Sequence, residues 1–370
     1  MERTEIFRLL GEGPDWDGLE ARAEDEGTAP LVHWNLRNLA GAVSGRGPER
    51  FKTQFLRNVG RNVRLYSLLE PFLEKARRSG ARVALTKGSR LALTVYPDPG
   101  LRPFGDVDCI VHPRDWPAVE TALEKTGFRK AAASGIRPDL SDPKLHWTFS
   151  PYYRKEDLLV EIHFNYLGLH FPFGSEKDLW DSAGGQAVLG SSVAILSNEY
   201  ELCTLSLHAQ QHSYRKLMWL SDIAALVSRS PVGWDKVASI CHREKIRSSV
   251  SYALHLVETV WPGSVPREAL TSVSVRPASW RALRFMWPER DVSGRVIPAA
   301  WPYYMPTVLS LWERKNPALA LRTLAAILFP PRTWMGAVSG PAGRGLRIAP
   351  AYLRRILRPA GLAVKRILSR

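Results

Sequence analysis

Apolar residues in the first part of the chain recur at three- and four-residue spacing, with Leu56, Val59, Val63, Tyr66, Leu69 and Leu73 forming the longest series. That is the period of an amphipathic helix, and no proline interrupts this series before Pro71, so residues 1–77 are expected to be a helical lead-in. From Val83 the pattern changes. Short apolar runs bounded by turn residues, at 83–85, 107–111 and 158–164, predict three strands. Between the second and third, residues 116–126 predict a helix with Asp115 as its cap and Gly127 as its C-terminal stop. After Ser197 the spacing is helical again: one long or broken helix over 199–227, capped by Ser197 or Asn198, then helices over 231–258 and 278–286. An irregular stretch over 287–306 and a short apolar helix over 317–329 follow. No internal repeat or low-complexity tract is present. The expected fold class is α+β. A small mixed β-sheet core over 78–200 lies between N-terminal helices over 1–77 and a larger helical region over 201–330, with a tail over 331–370.

Composition narrows the setting. A hydrophobic fraction of 45% with 24% charged residues is ordinary for a folded protein of 370 residues. Cys109, Cys203 and Cys241 are scattered, without CxxC spacing, which argues against a disulfide framework and a zinc knuckle and favours a reducing cytoplasm. The N-terminal residues lack the basic-then-apolar order of a signal peptide, and no uncharged apolar run reaches the roughly 18 to 20 residues that cross a bilayer. A cytoplasmic protein, or one peripheral on the inner face of the membrane, is expected. The net charge of +15 is local: after Glu313 there are twelve basic residues and no acidic one, leaving 39 Lys and Arg against 36 Asp and Glu before it.

The chemistry sits among the three predicted strands. Alternate side chains of a strand share a face, so Asp106 and Asp108 project together while Val107 points away. Glu161 lies among Leu158, Leu159, Val160 and Ile162, where a carboxylate is expensive unless it meets a cation, and so is the natural third ligand. Hard oxygen ligands of this kind suit Mg²⁺ or Mn²⁺. Two such ions activate an attacking hydroxyl and stabilise a leaving pyrophosphate in nucleotidyl transfer. Gly88 and Ser89, after the first strand, supply a close backbone approach and a donor at a helix N-terminus suited to a triphosphate, with Lys87 and Arg102 as phosphate counter-charges.

Gly-Ser, then Asp-x-Asp between apolar residues, then a later apolar-Glu-apolar strand resembles the polymerase-β-like nucleotidyltransferases. The longer pattern is Lys87-Gly-Ser-x-Leu-Ala, Tyr96-Pro-Asp-Pro-Gly-Leu-Arg-Pro-Phe-Gly-Asp-Val-Asp108, Gly127-Phe128, Val160-Glu-Ile-His163, Leu207-His-Ala209 and Trp219-Leu-Ser-Asp222. It resembles an uncharacterised bacterial nucleotidyltransferase family over roughly residues 30 to 230. The resemblance implies a metal-dependent enzyme moving an NMP from an NTP such as ATP to an acceptor hydroxyl or phosphate. Biosynthetic small molecules, glycan precursors and peptides are the acceptors it favours, with a tRNA end as a further one. The rival reading is a non-catalytic, membrane-associated binding module on a degenerate core.

Other features have less specific readings. His163 shares the face of Glu161 and either contacts substrate or sits at the core edge. His208, His212, Arg215, Trp219 and Asp222 fall on one helical face, as a nucleotide or acceptor pocket would require. His208 and His212 have zinc-ligand spacing, but Ala209 stands where a zincin carries glutamate. Trp219 and Cys109 read first as packing residues. In the tail, Tyr352, Leu353, Ile356 and Leu357 alternate with Arg354, Arg355 and Arg358, a pattern that fits an anionic membrane surface, RNA phosphate or a solvated end.

Overall fold

The computed structural model describes residues 8–37, 46–131, 150–167, 176–188 and 191–286, together with position 318. The stretches expected over 287–306, 317–329 (position 318 apart) and 331–370 lie outside the described residues. The helical lead-in comprises α1 (Trp16–Asp25), α2 (Ala29–Leu36) and the 33-residue α3 (Arg46–Arg78). The face that α3 buries carries Phe51, Leu65, Tyr66, Leu69, Phe72 and Leu73. Leu56 and Val63, two members of the expected stripe, are instead 56% and 52% exposed. The polar residues Asn58 and Asn62 take the inward positions there, because a loop backbone rather than an apolar surface faces that part of the helix.

Seven strands form one mixed sheet, in the order β3-β4-β5-β2-β1-β7-β6. They are β1 (Val83–Thr86), β2 (Asp106–Val111), β3 (Arg129–Lys130), β4 (Tyr152–Lys155), β5 (Leu158–His163), β6 (Gly184–Val188) and β7 (Ser191–Ile195). The three expected strands are the central ones: β2 runs antiparallel to β1 and parallel to β5. Their alternation separates two layers. Leu85, Val107, Cys109, Val111, Val160 and Ile162 pack against α3 and against α5 (Trp116–Lys125). The opposite face, carrying Thr86, Asp106, Asp108, Ile110, Glu161 and His163, turns toward a cavity roofed by C-terminal helices. Cys109 is fully buried in the first layer, as expected of a small apolar residue.

Helix boundaries follow the expected signals more closely than their chemistry does. Gly127 has φ 90° and ends α5 with a Phe128 N to Leu123 O bond, a glycine stop. Asp115 precedes α5 without capping it; its carboxylate accepts instead from Arg82 N at 3.1 Å, beside the start of β1. Beyond the short α6 (Glu176–Asp181), Ser197 likewise makes no side-chain cap for α7 (Asn198–Gln211), and Asn198 Oδ1 accepts from the buried Arg90. The stretch expected over 199–227 is a broken helix. Ser213 and Tyr214 both adopt positive φ, splitting α7 from α8 (Leu217–Arg229). Lys245, at φ 58°, divides the next segment into α9 (Trp234–Glu244) and α10 (Arg247–Val260), and α11 (Arg267–Ser272) and α12 (Pro277–Met286) complete the described helices. Leucines, valines and tyrosines of α7 to α10 form the second core with Ala84, Leu91 and Ile110. None of the described helices is long and apolar enough to cross a membrane.

Candidate active site

The register of β2 and β5 places Asp108 directly opposite Glu161, with Ile110 opposite His163 and Asp106 opposite Leu159. Paired residues of adjacent strands point to the same side, so Asp106, Asp108, Glu161 and His163 share one face as a staggered array, with Asp108 and Glu161 its directly opposed pair. Ligand atoms of Asp108, Glu161 and His163 lie within 4.8 Å of one another. His163 Nε2 is 2.7 Å from Asp108 Oδ1 and 3.7 Å from Glu161 Oε2, and Ser150 Oγ is 3.3 Å from its Nδ1. With Nε2 protonated the ring donates to Asp108; with the proton on Nδ1, donated to Ser150, Nε2 presents a lone pair to the cluster. Tyr152, opposite Glu161 on β4, donates its hydroxyl to Glu161 Oε1 at 2.7 Å.

Charge in the array is unbalanced. The Lys87 ammonium lies 2.7 Å from Asp108 Oδ1, and it is the cation within ion-pair distance of these carboxylates among the described residues. Burial opposes the charge on both partners, yet each outweighs it for the other: Asp108 is held well below the usual carboxylate range by Lys87 and His163, and the Lys87 pKa is raised by Asp108 and Glu161. Asp106 has no such partner among the described residues. Burial, then repulsion from Asp108, pushes its carboxyl up to about 6. Three carboxylates around one ammonium are a site that a small divalent cation would relieve, and the oxygen-rich donor set fits Mg²⁺ or Mn²⁺.

Two buried ion pairs hold the loops that frame the array. Glu201, fully buried on α7, accepts from Thr86 Oγ1 at 2.8 Å and from Lys87 N at 2.6 Å, and pairs with Arg90 at 3.0 Å. It thereby fixes the turn from β1 into α4 (Lys87–Thr94), where Lys87 takes φ 55°. Asp222 on α8 receives the Arg102 guanidinium in a fork, Nε to Oδ1 at 2.7 Å and Nη2 to Oδ2 at 2.7 Å, and Tyr96 donates to it at 2.9 Å. Arg102 is thus bound to a carboxylate within the protein. The loop before it is held from α3 by Asn58, which donates to Gly100 O at 2.7 Å, and by Asn62, which donates to Arg102 O at 3.0 Å. Gly88 is where Arg102 passes close to the chain: a Cβ there would meet Arg102 Nη1 at 3.0 Å and Phe104 Cβ at 3.1 Å. Ser89 is buried with its hydroxyl 3.3 Å from Thr86 O, and it does not line the cavity, whereas Lys87 and Gly88 do.

The cavity encloses about 650 Å³, and its far wall is helical. His208, His212 and Trp219 meet there with ring centroids 4.6 to 5.4 Å apart, although the helix is broken between them. Burial and the charge of Lys87 push His208 well down and His212 down to about 4, so both rings are neutral near pH 7. Arg215 turns to solvent, and Asp222 is spent on Arg102. Glu201 and Tyr152 are the positioning residues that sequence reasoning passed over. A glutamate inside the run Tyr200-Glu-Leu-Cys203 is the one signal that marks the former.

A mixed α/β fold with carboxylates on neighbouring central strands, above a cavity large enough for a nucleotide, defines a protein of the nucleotidyltransferase class. The chain belongs to the family described as uncharacterised nucleotidyltransferase, whose model matches residues 12–262. A crystal structure of an antigenic nucleotidyltransferase-like protein from Paracoccidioides brasiliensis is a distant likeness. It is 17% identical, covering 59% of this chain and 96% of that one, with a TM-score of 0.35. No curated protein matches the chain.

Proposed function

We propose that this protein transfers a nucleoside monophosphate from a nucleoside triphosphate to an acceptor hydroxyl or phosphate. An acceptor oxygen forms a bond to the α-phosphorus, the α–β bridging bond breaks, and pyrophosphate leaves. The observation that carries this reading is the pairing of Asp108 with Glu161 across β2 and β5, with Asp106 on the same face of the cavity. Asp106 and Asp108 would hold the divalent cations, with Glu161 completing the site on the acceptor side. When bound, the cations supply Lewis acidity to the phosphate oxygens.

The protein's own groups do the rest. Glu161, oriented by Tyr152, takes the proton of the attacking hydroxyl. Lys87 and the Gly88 backbone face the polyphosphate, and His163 bridges the two strands beside it. Ser89 contributes through the turn it packs under, and Arg102, which lines the cavity, through the loop before β2 that its pairing with Asp222 holds. The helical wall of His208, His212 and Trp219 offers neutral rings to a base or an acceptor. For the acceptor, a small biosynthetic molecule, glycan precursor or peptide is favoured by family analogy alone. The basic segment after Glu313 supports an anionic surface, membrane or RNA, as a secondary contact.

The test is binding of α,β-methylene nucleoside triphosphates by calorimetry, with Mg²⁺ and with EDTA. Binding that requires Mg²⁺ and disappears in Asp106→Asn and Asp108→Asn agrees with the proposal. Binding that ignores both the metal and the substitutions contradicts it.

A further inference from the structure

Lys87 occupies ground that a cation is expected to take. Its ammonium is 2.7 Å from Asp108 Oδ1 and 3.4 Å from His163 Nε2, within the cluster whose ligand atoms gather inside 4.8 Å. The turn that puts it there is built, not incidental. Lys87 adopts φ 55°, a left-handed conformation that a residue with a Cβ disfavours. Its amide is held by Glu201 Oε1 at 2.6 Å, and Glu201 is itself locked by Thr86 and Arg90 with no exposure to solvent. A buried anion on a distant helix therefore maintains a strained backbone whose result is an ammonium seated on Asp108. A lysine serving only a phosphate needs no such retraction onto a carboxylate.

Resting on the nucleotidyl-transfer reading of this cavity, we propose that Lys87 is an internal counter-cation. It sits in the carboxylate cluster of the free protein and must leave when a divalent cation enters, the polyphosphate of the incoming nucleotide being its destination. Two consequences follow from reciprocal coupling between sites. The metal alone binds weakly, because it displaces an ammonium from a buried pair. Nucleotide strengthens metal binding beyond direct coordination, because it gives that ammonium a new partner.

The experiment is a Mn²⁺ titration of the full chain, read from the electron paramagnetic resonance signal of free aqueous Mn²⁺. It is run without nucleotide on the wild type, Lys87→Met, Lys87→Arg and Asp108→Asn. Lys87→Met is expected to bind Mn²⁺ at least tenfold more tightly than the wild type, and Lys87→Arg, which keeps the charge, to stay within about threefold of it. Lys87→Gln replaces the methionine variant, with the same expectation, if the latter does not fold. In a second arm an α,β-methylene nucleoside triphosphate is added and its own Mn²⁺ binding subtracted; the gain in affinity it produces shrinks at least tenfold in the uncharged variant. Unchanged or weaker Mn²⁺ binding on losing the charge, or an equal nucleotide gain in both proteins, overturns the proposal. Its failure is separable from failure of the wider reading: Asp108→Asn abolishes Mn²⁺ binding if the cluster is a metal site at all, whatever Lys87 does.

Discussion

Asp106→Asn is expected to stabilise the metal-free protein while removing its response to divalent cations. The Asp106 carboxyl faces the cavity with no ion-pair partner among the described residues, and burial together with Asp108 raises its pKa from 3.8 to about 6. Because the folded pKa lies above the unfolded one, the folded state binds the proton more tightly. The cost of this group is therefore absent below about pH 4, grows as pH rises toward 6 and is complete at neutral pH. Each unit corresponds to about 1.4 kcal/mol, giving a ceiling of roughly 3 kcal/mol, and screening by cavity water reduces the expected gain to about 1–2 kcal/mol. That is a rise in melting temperature of roughly 1–3 °C for a chain of 370 residues. Thermal melts in EDTA at pH 7.5 and pH 4.5 measure it: the variant should melt higher at the first pH, with the difference narrowing at the second. Saturating Mg²⁺, at about 100 times its Kd, should then stabilise the wild type by about 2.7 kcal/mol and leave the variant unmoved. A variant that melts below the wild type in EDTA at pH 7.5 refutes the reasoning, because it would make Asp106 a structural residue and not a strained ligand.

Three further outcomes are expected. Glu201→Gln leaves Arg90 as a buried, uncompensated charge and releases the Lys87 turn, so urea unfolding should show a loss of about 3–5 kcal/mol with an unchanged m-value; a loss under 1 kcal/mol contradicts the role given to it. Asp222→Asn weakens the fork to Arg102, and the site should lose metal-dependent nucleotide affinity by at least tenfold even though residue 222 is placed to touch no ligand; unchanged affinity in calorimetry speaks against Arg102 as the strut of that loop. His212, with a folded pKa of about 4 against 6.5 unfolded, is kept neutral by burial, so its contribution is complete above pH 6.5 and is lost as pH falls toward 4. In an Asp106→Asn background, which removes the opposing trend, His212→Gln should flatten the fall in urea midpoint between pH 6.5 and 4.5, and an identical slope in both proteins would exclude the assignment.

How far this arrangement was readable from the sequence depends on the distance over which each feature is determined. The placing of Asp106 and Asp108 on one face is local, a consequence of strand alternation, and so is the glycine stop at Gly127. Glu161 stood out for a related reason, since a carboxylate inside an apolar run is costly unless it meets a cation, but the Tyr152 hydroxyl that it accepts from was not anticipated. What was not legible is who meets whom. Lys87 reaches Asp108, Thr86 reaches Glu201 and Arg102 reaches Asp222, and each pairing depends on packing between elements far apart in the chain. Arg102, expected as a phosphate counter-charge, does line the cavity, but its fork to Asp222 was not visible in the sequence.

The remaining strands were missed because their strand-favouring residues are few and diluted. Gly184-Gly-Gln-Ala-Val188 and Ser191-Ser-Val-Ala-Ile195 are rich in glycine and serine, and Tyr152-Tyr-Arg-Lys155 is half basic. The helix breaks at Ser213, Tyr214 and Lys245 place residues other than glycine in the left-handed region, where no residue type announces the turn. Leu56 and Val63 misled for a similar reason: periodicity identified the helix, but the loop carrying Gly100 and Arg102 decided which face was buried.

The most direct test of the central claim follows the phosphorus. The full chain is incubated with Mg²⁺ or Mn²⁺, host-cell extract as acceptor, and ATP, GTP, CTP or UTP labelled at either the α- or the γ-phosphate, beside an Asp106→Asn/Asp108→Asn control. Nucleotidyl transfer predicts that α-label passes to an acceptor, γ-label leaves as pyrophosphate, and the control is silent. Transfer of γ-label to the acceptor would make the protein a phosphotransferase and contradict the mechanism drawn from these three carboxylates.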